Sequence, residues 1–241
     1  MSGNLSAFCE RAIFVFGSNR AGIHGAGAAR WAVTYRGAIF GQGEGLQGQS
    51  YALPTKYGPH DSRPDMGLLR DSVARFLHFA ASRPDLAFLV TRVGCGLAGF
   101  TDAQVAPLFA SIPANVYLPG LWIGRQATIV AGSRGISERE TALHLDEFSF
   151  SGEIVSGMAQ GVDLGAYHWA KAKGFPIVEA PALWNRYGRA AGPIRNQWMS
   201  WYASNLLALW DGESRGTQNM IQTAQRDGLS VQVVLLEPAP I

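Results

Sequence analysis

Ala127-Thr128-Ile129-Val130-Ala131-Gly132-Ser133-Arg134-Gly135-Ile136-Ser137 is a short apolar run that breaks into a glycine turn carrying an arginine. The pattern predicts a strand over 127–131, then a loop, then a helix opened by a capping box of Ser137 with Glu140. The same order returns three times. Ile154-Val155 runs into Ser156-Gly157-Met158-Ala159-Gln160-Gly161-Val162-Asp163 and a helix from Leu164 to Lys173. Pro176 to Ala180 runs into the arginine-rich stretch Arg186 to Asn196, and Leu206 to Trp210 runs into Asp211 to Thr217 before a helix from Gln218 to Arg226. Val231 to Leu236 supplies a last strand, and Pro238 to Ile241 reads as a tail. Strand, glycine loop and helix repeated in order predict a parallel sheet whose loops gather at the strand carboxyl ends.

The loops carry the chemistry. In Arg186-Tyr-Gly-Arg-Ala-Ala-Gly-Pro-Ile-Arg-Asn196, Gly188 and Gly192 let backbone pass close to a ligand and Pro193 suits a first helical position. Free amides at such a helix start favour an anion, and a guanidinium matches phosphate oxygens with two parallel donors. Together the loops offer Arg134, Arg186, Arg189, Arg195 and Arg215. The expected ligand contacts are Gly132, Ser133, Arg134, Ser156, Gly157, Asp163, Arg189, Gly192, Arg195, Asn196, Arg215, Gly216 and Thr217. Asp163 has two roles open to it, complementing a helix dipole or holding a ribose hydroxyl. With Arg195 at a helix start, Arg195→Ala is expected to weaken ligand binding by about 1.5–3 kcal/mol without unfolding the domain. Trp198, Met199, Trp201, Tyr202, Leu206 and Leu207 form an apolar face, read as core or interface.

The first half repeats the theme. Ala12 to Phe16 predicts a strand that enters Gly17-Ser18-Asn19 and His24-Gly25-Ala26-Gly27-Ala28-Ala29, where Asn19, Gly25, Ala26 and Gly27 are candidate ligand contacts. Gly41 to Ser50 alternates glycine with polar residues and reads as a loop before a strand at Tyr51 to Pro54, with Lys56 at the strand's end. Met66 to Ala81 carries the apolar stripe of an amphipathic helix. Leu86 to Val90 predicts a buried strand that delivers a third loop, Thr91 to Gly99, in which Gly94, Cys95, Gly96 and Leu97 are candidate contacts. Thr101 and Asp102 read as the entry to a further helix, and Asn115 to Leu118 as a strand. Cys95 reads as a small buried thiol. Pro119 to Gly124 reads as a linker, which gives one domain over 1–120 and another over 127–241. The fold class is therefore α/β with two domains, a mixed sheet followed by a Rossmann-like parallel sheet with helices on both faces.

With 241 residues, the chain is long enough to bury two small cores. A net charge of +2 argues against a dedicated nucleic-acid binder and leaves room for a local arginine pocket. Cys9 and Cys95 have no metal-ligand spacing and frame no disulfide set, so no metal is expected. There is no run of transmembrane length and no signal-peptide pattern at the start, so a cytoplasmic protein without a membrane partner is expected. The oligomeric state, a homo-oligomer included, stays open.

Two resemblances give these loops a ligand class. The first half resembles macro domains, the ADP-ribose-binding fold, through Gly25-Ala26-Gly27, Thr55-Lys56 and Gly94-Cys95-Gly96-Leu97. It is most similar to the branch that removes ADP-ribose from modified targets. In that branch a lysine at the position of Lys56 attacks the sugar, and an aspartate directly after the Gly-Cys-Gly-Leu run assists. Here that position is Ala98, with Asp102 four residues on. The second half resembles the SLOG superfamily of DNA-processing Smf proteins and cytokinin-activating phosphoribohydrolases, most closely its small YspA-like branch. The residues are Gly132-Ser133-Arg134, Ser156-Gly157 with Gly161 and Asp163, Tyr187 to Asn196, and Arg215-Gly216-Thr217 with Met220. Asn219 stands where the phosphoribohydrolases carry a catalytic glutamate. The resemblances imply binding of ADP-ribose, NAD-related or other nucleotide-derived small molecules, with no obligatory cofactor. Two further readings are a hydrolase of an N-glycosidic or ADP-ribosyl bond with Lys56 as nucleophile, and nucleic-acid binding or modification.

Overall fold

The structure, a computed structural model, describes residues 3–61 and 63–236. The expected tail at 238–241 lies outside them. Two compact units emerge: Arg11–Trp122 forms one, and the chain from Ile123 on forms the other together with the residues up to Glu10. Helix α1 (Leu5–Arg11) thus falls almost wholly on the second unit's side of the division.

In the first of these units the elements are β1 (Ile13–Asn19), α2 (Gly27–Tyr35), β2 (Gly45–Gln47), β3 (Ser50–Lys56), α3 (Met66–Ser82), β4 (Phe88–Val90), α4 (Asp102–Val105) and β5 (Val116–Tyr117). The five strands run β2-β3-β1-β4-β5, and only β2 is antiparallel to its neighbour. β1 is buried on both faces, as a central parallel strand must be. Ile13 and Val15 join Leu69, Val73, Phe76 and Ala80 of α3 in one core cluster. Phe14 turns the other way and meets Trp31 of α2 with ring centroids 4.6 Å apart. The α3 stripe is therefore core, and Asp65 caps that helix by accepting from Leu68 N at 3.0 Å.

Two local readings change. Gly45–Gln47 is a strand, paired with Ser50–Ala52 in a hairpin, although its glycine and glutamine read as loop. The side chain of buried Gln47 does the ordering, accepting from Ile39 N at 2.5 Å and donating to Gln42 O at 3.1 Å. The linker expected at 119–124 begins with a 3₁₀ turn, Gly120–Ile123, whose Trp122 packs against the first unit's core.

The second unit contains β6 (Ala127–Gly132), α5 (Glu138–Leu145), β7 (Glu153–Ser156), α6 (Val162–Lys173), β8 (Ile177–Glu179), α7 (Trp184–Tyr187), α8 (Ala191–Tyr202), β9 (Asn205–Trp210), α9 (Arg215–Arg226) and β10 (Ser230–Leu235). Its five strands run β10-β9-β6-β7-β8 and every pairing is parallel. The chain steps outward from β6 to β8, returns to the other side of β6 as β9, and ends at β10, the Rossmann-like order. Val130, Ile154, Leu207 and Leu209 pack with Val162, Ala166 and Trp169 of α6. Ile129, Val155 and Leu206 alternate with them and are buried as well, as are Trp198 and Met199 of α8. The apolar face expected at 198–207 is core for these residues. Asn4 adds a parallel bridge to Glu179 at the outer edge of β8.

Candidate functional site

In the first unit, β1 is followed on one side by β3, after which the chain crosses back to β4 on the other side. The loops after β1 and β4 therefore part at the strand carboxyl ends, where α/β sheets place ligands. β3, parallel to β1, brings Lys56 to this same end. Lys56 Nζ donates to Leu97 O at 3.2 Å, and the backbone of Arg20 donates to Lys56 O at 3.0 Å. The first loop, Lys56 and the Gly-Cys-Gly-Leu loop thus meet, although they are far apart in sequence.

Within this meeting point the candidate contacts divide. No heavy atom stands within 4 Å of where a side chain would begin at Gly25, Gly27 or Gly96, so their backbone is open to a partner. Ala26 is the N-cap of α2 and supplies no side-chain cap, which leaves that helix's first amides without one. Asn19 is spent on the loop itself. Its Nδ2 donates to Ile23 O at 2.9 Å and its Oδ1 accepts from Ile23 N at 3.1 Å. Gly94 has φ +82° and Phe100 close above it, so it serves the turn. Leu97 is exposed, while Ala98 is buried. Burial, reinforced by the Asp102 charge, pushes the Cys95 thiol up to about 12, which rules it out as a thiolate at neutral pH.

Asp102 does not reach into the site as a free acid or base. Arg92 holds both its oxygens, Nε to Oδ1 at 2.8 Å and NH2 to Oδ2, and Trp122 Nε1 donates to Oδ1 at 2.6 Å. Burial pushes its carboxyl up, but the Arg92 fork and the Trp122 indole outweigh it and leave it below the ordinary range. A depressed carboxylate contributes stability above its unfolded pKa and loses it as pH falls through the folded one. An acid titration is expected to show this contribution disappearing below about pH 4, with a change in indole fluorescence that Trp122→Phe removes. Asp102→Asn is expected to flatten that acid limb while leaving the neutral chain folded.

His24 is a residue of this loop that sequence reasoning passed over. It is 3% exposed, meets Phe16 edge-on at 5.1 Å, and has no hydrogen-bond partner among the described residues on either ring nitrogen. Burial lowers its pKa, so the ring is neutral at pH 7. Its place at the head of the His-Gly-Ala-Gly run was the available signal.

In the second unit the switch point lies between β6 and β9. The loop from Gly132 follows β6 and the loop from Asp211 follows β9, and Asp211 N donates to Ser133 Oγ at 3.1 Å. Ser133 is fully buried, and so is Ser156, whose Oγ donates to Asp163 O at 2.6 Å and accepts from Met158 N at 3.1 Å. Thr217 is buried with its hydroxyl on Ser214 Oγ at 3.0 Å. These hydroxyls shape the loops from inside. Asp211 accepts from Glu213 N and Ser214 N at 2.9 and 2.8 Å, filling with a carboxylate the amide cradle that an anion would use.

The arginine stretch is not a loop. Trp184–Tyr187 is a helical turn, Gly188–Ala190 a 3₁₀ turn, and α8 starts at Ala191, which makes Pro193 its third residue and Arg195 its fifth. Pro193 still falls among the first four amides, which have no intrahelical acceptor. Arg195 is 9% exposed and its NH1 donates to Asp163 Oδ2 at 3.0 Å. Gly157 makes this pair attainable: a Cβ there would stand 1.3 Å from Arg195 NH1. Asp163 also accepts from Gly132 N at 3.3 Å, so the pair ties the end of β6 to α6 and α8. Burial pushes the Asp163 carboxyl up, with Arg195 pulling against it. Asn196 donates to Gly216 O at 3.3 Å and to Asn219 Oδ1 at 2.9 Å, joining α8 to the start of α9. Arg186 pairs with Glu10 at 2.5 Å, and Tyr187 hydroxyl donates to the other oxygen of that carboxylate.

Arg134, Arg189 and Arg215 are what this edge presents to solvent. All three are exposed, and none forms an ion pair among the described residues. Gly192 lies at the second position of α8, and Gly216 at the second of α9, where a Cβ would meet only Ser214 Oγ at 4.0 Å. Among the described residues no cluster of three His, Cys, Asp or Glu side chains is placed to hold a metal, and no helix is long and apolar enough to cross a membrane.

No protein-family model, curated protein or solved structure matches this chain. The geometry of the two strand-end edges is what bears on its activity.

Proposed function

We propose that this protein binds nucleotide-derived small molecules, of the ADP-ribose and NAD-related class, through one site in each unit. The first unit acts as a macro-like module and the second as a SLOG-like module. The observation that carries the reading is the second unit's edge, where Arg134 follows β6, Arg189 precedes α8 and Arg215 opens α9, all three exposed and without ion pairs among the described residues. Exposed arginines without ion pairs at a Rossmann-like switch point suit a phosphorylated ligand. In the first unit, the support is the open backbone at Gly25, Gly27 and Gly96 together with Lys56 against the third loop. Lys56 there serves as a phosphate or ribose contact.

Hydrolysis is the weaker reading. Lys56 is in place, yet Ala98 offers no carboxylate and Asp102 is engaged by Arg92 and Trp122. In the second unit Asn219 is bonded to Asn196, and an amide neither gives nor takes a proton in general acid–base work. A net charge of +2 gives no field for nucleic acid.

Calorimetry on the full chain with ADP-ribose, NAD and AMP tests the reading. Heat of binding is expected, and its absence with all three at millimolar ligand overturns the proposal. Arg134→Ala and Arg215→Ala are each expected to weaken AMP about tenfold, ~1.5 kcal/mol for a charge-assisted hydrogen bond, with thermal stability unchanged. Release of free ADP-ribose from a modified protein, lost in Lys56→Ala, would replace binding by hydrolysis.

A further inference from the structure

The second unit carries an aromatic side chain at its ligand edge that the fold does not use. Trp184 opens α7 and is 52% exposed. The turn it belongs to, Trp184–Tyr187, has no buried residue. Tyr187 anchors that turn, edge-on to buried Trp198 at 6.1 Å, and Glu10 receives both Arg186 and the Tyr187 hydroxyl, so the turn is held without the indole of Trp184. Arg186, the cation nearest in sequence, is drawn to Glu10 and lies over Tyr187 at 5.6 Å. Among the described residues no ring or cation covers the indole of Trp184.

The ring lies beside a glycine. A Cβ at Gly192 would stand 3.6 Å from the indole Cη2, so the ring lies along the first turn of α8 at van der Waals range. That turn begins at the carboxyl edge of the sheet, where Arg189 is exposed and unpaired. The exposed neighbours Asn185, Arg186 and Arg189 are polar, and Pro181, Ala182 and Leu183 before the ring are half-buried. An exposed indole face along an uncapped helix start, with Arg189 in the turn just before that helix, offers stacking for a flat heterocycle and charge for the phosphate attached to it.

We propose that Trp184 is the platform on which the planar base of the second unit's ligand stacks, which makes that ligand a base-bearing nucleotide and not a sugar phosphate. The inference rests on the phosphate-binding reading given above. Stacking on an aromatic ring tolerates any base, so Trp184 selects for the presence of a base more than for its identity.

Fluorine NMR of the full chain labelled with 5-fluorotryptophan tests it. Seven tryptophans give the signals, and the one missing from Trp184→Phe is assigned to Trp184. AMP is expected to shift that signal and ribose 5-phosphate to leave it in place. In calorimetry Trp184→Ala is expected to weaken AMP about tenfold at the second site, Trp184→Phe to retain most of the affinity, and neither to change ribose 5-phosphate. If AMP binds the second site while the Trp184 signal stays fixed, or if both ligands move it equally, stacking is overturned and phosphate binding stands. If neither AMP nor ribose 5-phosphate binds, the phosphate reading falls and the inference falls with it.

Discussion

Replacing Arg195 by alanine is expected to lower the stability of the second unit by about 3–5 kcal/mol, the cost of leaving one partner of a buried ion pair alone. The expectation from sequence was a loss of ligand affinity in a chain that stays folded, and the structure changes the kind of effect. Arg195 NH1 donates to an Asp163 carboxylate that is 4% exposed, and alanine strands that charge beneath α8. Burial already pushes the Asp163 carboxyl up, and removing the guanidinium takes away the group that opposes the shift. The sign follows. A carboxyl raised above its unfolded pKa is tolerated when protonated, so the Arg195→Ala chain loses least in acid and progressively more as the pH rises towards neutrality. Urea titrations of both chains across that range check the slope. Adding Asp163→Asn to Arg195→Ala is expected to recover part of the loss, because an amide costs far less to bury than an unpaired carboxylate. A full-strength wild-type transition in Arg195→Ala at pH 7 would mean that the pair is not what holds the loop.

Much of this architecture could be read before the fold was seen, because burial leaves a period in the sequence. The runs at 127–131, 154–155, 176–180 and 206–210 are β6 to β9 within a residue or two, and the stripe at 66–81 is α3. Each is apolar on the faces that pack. β2 escaped because an edge strand held by Gln47's side-chain bonds needs no apolar alternation. In the arginine stretch the helix start was legible from Pro193, two residues past the first residue of α8, while the turns at 184–190 were not, because their glycine and arginines carry no apolar period. At the sites, position in the chain was legible and orientation was not. The pattern placed Arg134, Arg195 and Arg215 on one sheet edge, but only packing separates the exposed Arg134 and Arg215 from Arg195, which a buried aspartate claims. Ser133, Ser156 and Thr217 likewise sit in ligand-type motifs with their hydroxyls turned inward. Trp184 was not singled out from the sequence at all, and only the fold shows that its ring is left exposed.

Gly132→Ala is expected to cost about 3 kcal/mol, at the upper end of what forcing a methyl into a packed site costs. Gly132 ends β6 where β9, α6 and the loop after β6 crowd together. A Cβ there would stand 2.1 Å from Leu209 O and 2.6 Å from Val162 Cγ2, and the first of these is backbone. The Leu209 carbonyl cannot turn aside without losing its bond from Ser133 N, at 3.1 Å. Ser133 in turn receives Asp211 N, so the disturbance passes into both loops of the switch point. Chemical denaturation is therefore expected to show a lower midpoint, and AMP binding to fall in the fraction that remains folded. Val162→Ala in the same chain removes the side-chain half of the clash and leaves the carbonyl half. Partial recovery of stability without recovery of binding is the expected result, since the position of Arg134 depends on the backbone between Gly132 and Ser133. Full recovery of both would show that Val162 alone sets the limit and that the Leu209 carbonyl yields.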